Sequence, residues 1–185
     1  MAKQLKPTAM VTGIVRFSYV NVFTPKAFNE NDTPKYNVSI LIPKSDTETI
    51  QMVKSCIQQA LQEGIGKLGG SIPKVWKDPL RDGDTDGPDD EAYEGHYFLN
   101  ASSTRAPGAV KKVAGKAVKM DEDEFYSGCY GLASINFYAF NVKNKGIACG
   151  LNNIMKTDDG ERLGGGGASA AEDFGLEESE GEDFL

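Results

Sequence analysis

Few residues in this chain could carry out covalent chemistry. His96 is the only histidine, so neither a nucleophile–histidine pair nor a histidine metal cluster can be assembled within one chain. Nearly all acids fall in loops or at the C-terminal end, which leaves a two-metal carboxylate site without a scaffold. Gly64-x-Gly66-x-x-Gly69 has dinucleotide-loop spacing, but it follows a helical stretch instead of a strand. Asp82-Gly-Asp84-Thr-Asp86-Gly87 matches the first six positions of a calcium loop. The closing bidentate glutamate is missing: Tyr93 stands at position twelve and Glu94 comes one place late. Cys56, Cys129 and Cys149 are odd in number and lack CxxC spacing, so they read as buried thiols acting as small apolar side chains. Catalysis, a cofactor and a bound metal are therefore not expected, and the stretch 78–94 reads as a solvated acidic loop.

Binding chemistry is better represented. Unpaired bases are held by flat aromatic rings and their phosphates by lysine and arginine, both displayed on an open strand face. Residues 126–156, YSGCYGLASINFYAFNVKNKGIACGLNNIMK, read as two strands joined by a turn at Lys143-Asn144-Lys145-Gly146. Alternation puts Ala133, Ile135, Phe137 and Ala139 on one face and Tyr130, Ser134, Asn136 and Tyr138 on the other. The first face is a core; the second offers rings with polar handles. Upstream strands add Arg16 and Lys35 to the polar side, and the hairpin turn adds Lys143 and Lys145. Flanking loops contribute Trp76, Lys77, Arg105, Lys111 and Lys112. Together these residues are the candidate contacts for single-stranded nucleic acid.

The elements that must position them follow from pattern. Residues 8–23 form a long β-branched and aromatic strand, with Val11, Val15, Phe17 and Tyr19 on the apolar side and Thr12, Arg16 and Ser18 opposite. Gly13 marks a bulge within it. Residues 35–42 place Tyr36, Val38, Ile40 and Ile42 inward and Lys35, Asn37 and Ser39 outward. Ser45-Asp46-Thr47-Glu48 has capping-box spacing, and Ile50, Val53, Ile57, Ala60 and Leu61 recur at helical intervals up to Gly64. A short strand is expected at 96–101. Residues 109–120, with Lys111, Lys112, Lys116 and Lys119, read as an irregular strand or a mobile basic loop.

Charge is unevenly distributed. The formal net charge is -7, but residues 164–185 hold seven acids and no base, so 1–163 carries 20 of each sign. Setting aside 78–94, with eight acids and Arg81, leaves 12 acids against 19 bases. The folded surface is basic, and acidity is confined to one loop and one tail. The tail follows four glycines and is too acidic and too poor in branched apolar residues to fold alone, so it is expected to stay disordered. It ends in Asp183-Phe184-Leu185. No apolar run reaches the ~20 residues of a membrane span. The opening MAKQLKPTAM lacks the apolar core of a secretory signal, and a reducing cytoplasm is expected.

Strands, one helix after the second strand, more strands and a closing hairpin suit a mainly β, partly open five-stranded barrel of the OB type over 1–163, followed by the tail at 164–185. The segments GIVRFSYVNVFTP (13–25), PKYNVSILIPKSDTETI (34–50), RDGD (81–84), YEGHYFLNASS (93–103), YSGCYGLASINFYAF (126–140) and GIACGLNNIMKTDDGERLGG (146–165) strongly resemble a family of bacteriophage single-stranded-DNA-binding proteins typified by that of phage Enc34. The resemblance implies an OB fold, sequence-tolerant binding of single strands in phage replication or recombination, no catalysis, and residence in the cytoplasm of the infected bacterium. The tail resembles those of other replication single-strand binders, implying competition for the groove and recruitment of replication or recombination proteins through Asp183, Phe184 and Leu185. Exposed strand edges admit a homodimer. The competing reading is an OB-type protein-interaction module with incidental nucleic-acid affinity.

Overall fold

A computed structural model describes residues 1–27 and 30–163; the acidic tail, with Asp183, Phe184 and Leu185, lies outside the described residues. In chain order the strands are β1 (Lys3–Lys6), β2 (Ala9–Val11), β3 (Val15–Lys26), β4 (Lys35–Pro43), β5 (Arg81–Asp82), β6 (His96–Ser103), β7 (Gly108–Val113), β8 (Lys116–Lys119), β9 (Tyr130–Val142) and β10 (Asn144–Asp158). One α-helix, α1 (Thr47–Glu63), follows β4.

Five of these strands form a circuit. β9 pairs β3, β3 pairs β4, β4 pairs β6, β6 pairs β10, and β10 returns to β9. All joints are antiparallel except β6 with β10. Two joints are narrow: β3 meets β9 at Val15↔Gly131 and Arg16↔Tyr130, and β6 meets β10 at Ala101↔Cys149 and Ser102↔Gly150. The expected partly open barrel is therefore present. Outside the circuit, β1 and β2 extend the sheet beyond β9, and the β7–β8 hairpin extends it along the far half of β10. The stretch 109–120 is thus an ordered basic hairpin. It turns at Ala114 (φ 51) and Gly115 (φ 77), the pair of left-handed residues that matches strand twist.

The inward residues make one core that includes Phe17, Ile40, Ile42, Leu99, Ile135, Phe137 and Ile147. The rings of Phe17 and Phe125 meet edge-on at 5.1 Å. Helix α1 covers this core with Ile50, Val53, Ile57, Ala60 and Leu61, the predicted face. Gly64 ends the helix where it touches the barrel, since an added Cβ would lie 2.3 Å from that of Ala139. The cap differs from the predicted box: Asp46, not Ser45, is the N-cap and accepts from Thr49 N at 3.1 Å. The reason lies in β3's approach. Gly13 N–H, unpaired at the break between β2 and β3, donates to Thr49 Oγ1 at 3.0 Å, and that hydroxyl donates to Asp46 Oδ2 at 2.7 Å. Cap and strand break are satisfied together.

The break also reverses the predicted side for Val11 and Thr12. Met10 and Thr12 are buried, and Thr12 Oγ1 accepts from Ala133 N at 3.0 Å. All three cysteines are buried and free, and burial pushes the Cys56 and Cys149 thiols up. Cys149 sits opposite Phe137.

Candidate nucleic-acid interface

The barrel's outer surface carries a row of small neutral polar groups that crosses five strands in register. Asn21 lies opposite Asn37, Asn37 opposite Ser102, Ser102 opposite Gly150, and Gly150 opposite Asn136. Asn21 Nδ2 donates to Asn37 Oδ1 at 3.1 Å. With neighbouring strands ~4.8 Å apart, the row runs about 19 Å around the barrel. Three concavities follow it: one of about 600 Å³ between Tyr19, Asn37 and Asn100, one of about 440 Å³ between Lys26, Lys35 and Ser102, and one of about 220 Å³ between Ser102, Asn136 and Tyr138. The first two share Lys26, Asn37 and Ser102; the last two share Lys35 and Ser102. They form one groove running across the strands. Its floor is neutral amide and hydroxyl, Lys26, Asp32 and Lys35 stand at its side, and Tyr19 and Tyr138 stand at its two ends. The glycine at position 150 keeps the floor low, since a Cβ there would lie 2.4 Å from Asn136 Oδ1.

At the Tyr19 end the wall is the acidic loop. Most of its acids are exposed, as expected, but the loop is pinned to the barrel. Tyr93 plugs it into the barrel: the ring is buried with Leu41 and Phe98, 5.1 Å from Phe98, and its hydroxyl donates to Ser39 Oγ at 2.8 Å. Burying a side chain of this kind is worth about 2–3 kcal/mol, enough to hold a loop that charge alone would leave in water. Lys44 latches it further. Its Nζ lies 2.8 Å from Asp82 Oδ1 and 2.7 Å from Asp84 Oδ2. The Lys44 ammonium holds both carboxyls below the usual range, and they in turn raise the amine. Asp84 Oδ1 also accepts from Gly95 N at 3.0 Å. The residues that mimic a calcium loop thus gather around an amine, and no metal-binding cluster occurs among the described residues.

The sequence candidates separate into three groups. Lys35 and Tyr138 line the groove, and Arg105 is exposed in the turn after β6, its N–H on Ser103 Oγ at 3.1 Å. Lys77, Lys143 and Lys145 gather at the tip of the β9–β10 hairpin: Lys77 N donates to Lys145 O at 2.9 Å, and Lys77 bridges to Gly146. Trp76 packs partly buried against the core beside them. Tyr138 also borders a hollow of about 390 Å³ with Glu63 and Lys67. Lys112 is exposed on the β7–β8 hairpin.

Arg16, Tyr130 and Lys111 are engaged within the protein. Arg16 Nε donates to Gly128 O at 3.1 Å and Nη2 to Glu161 O at 2.8 Å, with the guanidinium 5.3 Å from the Tyr130 ring. Leu163 N donates to Ser127 O at 2.9 Å. These contacts clamp residues 161–163 to the start of β9. Lys111 pairs with Glu124, which it holds below the usual carboxylate range.

Sequence reading missed Tyr19, Asn21, Lys26, Asn100 and Ser102. Tyr19 was expected inward but is 51% exposed, because β3 bulges between Ser18 and Asn21 and Tyr19 takes φ 48. The asparagines and serines left a faint signal, polar residues at every second place in strands otherwise apolar.

A five-stranded circuit with one helix and an outer groove defines the OB class. A family model described as Enterobacter phage Enc34, ssDNA-binding protein, matches residues 8–185, and the chain belongs to that family. Putative protein p50 of Acyrthosiphon pisum secondary endosymbiont phage 1 is 31% identical over 168 residues, 86% of this chain and 89% of the relative. The single-stranded DNA-binding protein from bacteriophage Enc34, solved in complex with ssDNA, shares the fold with a TM-score of 0.74 at 22% identity, over 88% of this chain and 96% of that one. The T7 phage single-stranded DNA binding protein gp2.5 shares it with a TM-score of 0.57 at 14% identity, over 87% and 97%.

Proposed function

We propose that this chain is a non-enzymatic binder of single-stranded DNA, tolerant of sequence, that serves phage DNA replication or recombination in the cytoplasm of the infected bacterium. The observation that carries the reading is the neutral row from Asn21 to Asn136 lining one continuous groove. Amides and hydroxyls both donate and accept, so they meet any base edge without selecting one, while rings stack bases regardless of identity. Lys26, Lys35 and Arg105 track phosphates beside the groove, and Lys77, Lys143 and Lys145, with Trp76, continue the track beyond Tyr138. Lys112 offers a further phosphate contact. Arg16, Tyr130 and Lys111, already occupied within the chain, hold the barrel and its exit in place. Family membership and the Enc34 protein's complex with ssDNA support the assignment.

The tail at 164–185 completes the proposal. Seven acids on a chain of that length compete with phosphates for the same lysines, and Asp183, Phe184 and Leu185 recruit replication or recombination proteins once DNA has displaced them. β1 and β8, the edge strands among the described residues, offer a homodimer contact. Fluorescence anisotropy with a labelled oligonucleotide tests the core claim. Tight, salt-sensitive binding to single strands and weak binding to the duplex are expected, without magnesium-dependent cleavage. Equal, weak and salt-insensitive binding to both would favour the interaction-module reading instead. Removing 164–185 is expected to tighten binding; unchanged affinity would show that the tail does not compete.

A further inference from the structure

The largest concavity is built differently from the rest of the groove. Between Ser18↔Ser39 and Asn21↔Asn37, β3 spends two residues against one on β4, and Tyr19 absorbs the difference at φ 48. Bulky side chains rarely adopt that left-handed backbone, and where a structure imposes it the strain marks a functional position. The bulge is fixed on both sides. Val20 N–H donates to Ser127 Oγ at 3.1 Å, and Asn21 Nδ2 donates to the Tyr19 carbonyl at 3.2 Å. Its effect is to turn the Tyr19 ring out of the core, 6.4 Å from the Tyr93 ring, over a hollow of about 600 Å³. The floor there is Asn37, Ser39, Asn100 and Ser102, and the far wall is Arg81 with Asp86. Asn100 is exposed, its amide open to the hollow.

We infer that this hollow is a pocket for one unpaired nucleobase, stacked on Tyr19 with its edge toward the Asn100 amide. The inference rests on the single-strand reading above and gives it a fixed point. A flat ring over an amide and hydroxyl floor suits a planar ligand with polar edges; an apolar ligand would leave the floor's hydrogen-bonding groups unmatched. Charge sets the orientation. The loop-side wall carries Arg81 and Asp86, whose charges offset each other, while Lys26 on the other side attracts phosphate, so the base enters toward the loop and the backbone stays over Lys26. The rest of the groove passes bases by; this end captures one.

The test separates stacking from structure. Tyr19→Gly removes the ring and also relieves the left-handed strain, so its melting temperature is expected to equal or exceed that of the wild type. Its affinity for oligo-dT is expected to fall about ten- to a hundredfold, the span of one lost base stack, and Tyr19→Phe, which keeps the ring, should restore binding. Asn100→Ala should weaken binding of oligo-dT and oligo-dA alike, since its amide serves either base edge. Wild-type affinity in Tyr19→Gly would overturn the pocket, as would a fall in its melting temperature, which would make Tyr19 a structural residue. Failure of the wild type to bind oligo-dT would instead refute the groove as a whole.

Discussion

The two ends of β3 meet solvent in opposite ways. Near its start, Arg16 gives its guanidinium to the carbonyls of Gly128 and Glu161 and to the face of Tyr130. Five residues on, Asn21 opens a row of neutral amides and hydroxyls flanked by exposed rings. Both ends look suited to nucleic acid by composition, and the first looks better, since it pairs an arginine with a tyrosine. Under the proposed function that order is reversed. A cation already bonded to its own chain has little to offer a phosphate, whereas a neutral floor with lysines at its side leaves both bases and phosphates a place. Lys44 with Asp82 and Asp84, and Lys111 with Glu124, repeat the lesson. Position within the bonding network, more than charge, places the proposed site.

The sharpest way to break this comparison is to block the open end. Gly150 lies in the row between Asn136 and Ser102. A leucine there would fill the floor and lower affinity for oligo-dT by about a hundredfold, equivalent to ~3 kcal/mol. An intact far-ultraviolet circular dichroism spectrum would show that the barrel survives. Undiminished binding would mean that DNA does not follow the row.

A smaller and two-sided effect comes from exchanging the ends. Tyr138→Ala should cost about 1–3 kcal/mol of affinity with little change in stability. Arg16→Ala should do the reverse. It removes two charge-assisted hydrogen bonds, each worth roughly 1.5–3 kcal/mol, so the melting temperature falls while the affinity of the folded protein holds. Denaturation curves and anisotropy on the same two variants check both halves, and a matched loss of affinity in Arg16→Ala would put the clamp back in the site. Subtler still is the salt response. Each phosphate contact on a single strand contributes about 0.7 to the slope of log affinity against log salt. Lys35→Ala should therefore flatten that slope by about that amount, and Lys111→Ala should leave it unchanged.

The distribution of what was legible in the sequence follows the same divide. Periodicity identified the helix face from Ile50 to Leu61 and the inward set Ile135, Phe137 and Ala139, because burial repeats along an element and leaves a pattern. Contacts between distant segments leave none. Nothing near Arg16 in sequence announces the carbonyls of Gly128 and Glu161, and Thr49's role in the cap depends on a strand break more than thirty residues earlier. Tyr19 was misplaced because alternation assumes an unbroken register, and one extra residue on β3 ends it. The acidic loop keeps most of its charges in water as expected, but charge gives no sign of its anchor, the single buried ring of Tyr93.

That loop supplies the mildest perturbation, acting at the wall of the groove and not on its floor. Asp82 and Asp84 have native pKa values lowered first by their hydrogen bonds to Lys44, so their contribution is complete above the ordinary carboxylate range and is lost as pH falls through the lowered native values. From about pH 4 downward, the latch should loosen while the barrel, held by its core, persists. Hydrogen exchange can follow this at the Gly95 amide, which Asp84 accepts. Its protection should fall in acid before that of β9, and Lys44→Met should reproduce the loss at neutral pH. Because Tyr93 stays bonded to Ser39, the loop should loosen at its carboxylates without leaving the barrel, so the hollow beneath Tyr19 widens on one side only. If Gly95 keeps its protection until β9 unfolds, Tyr93 alone holds the wall and the Lys44 latch adds nothing to it.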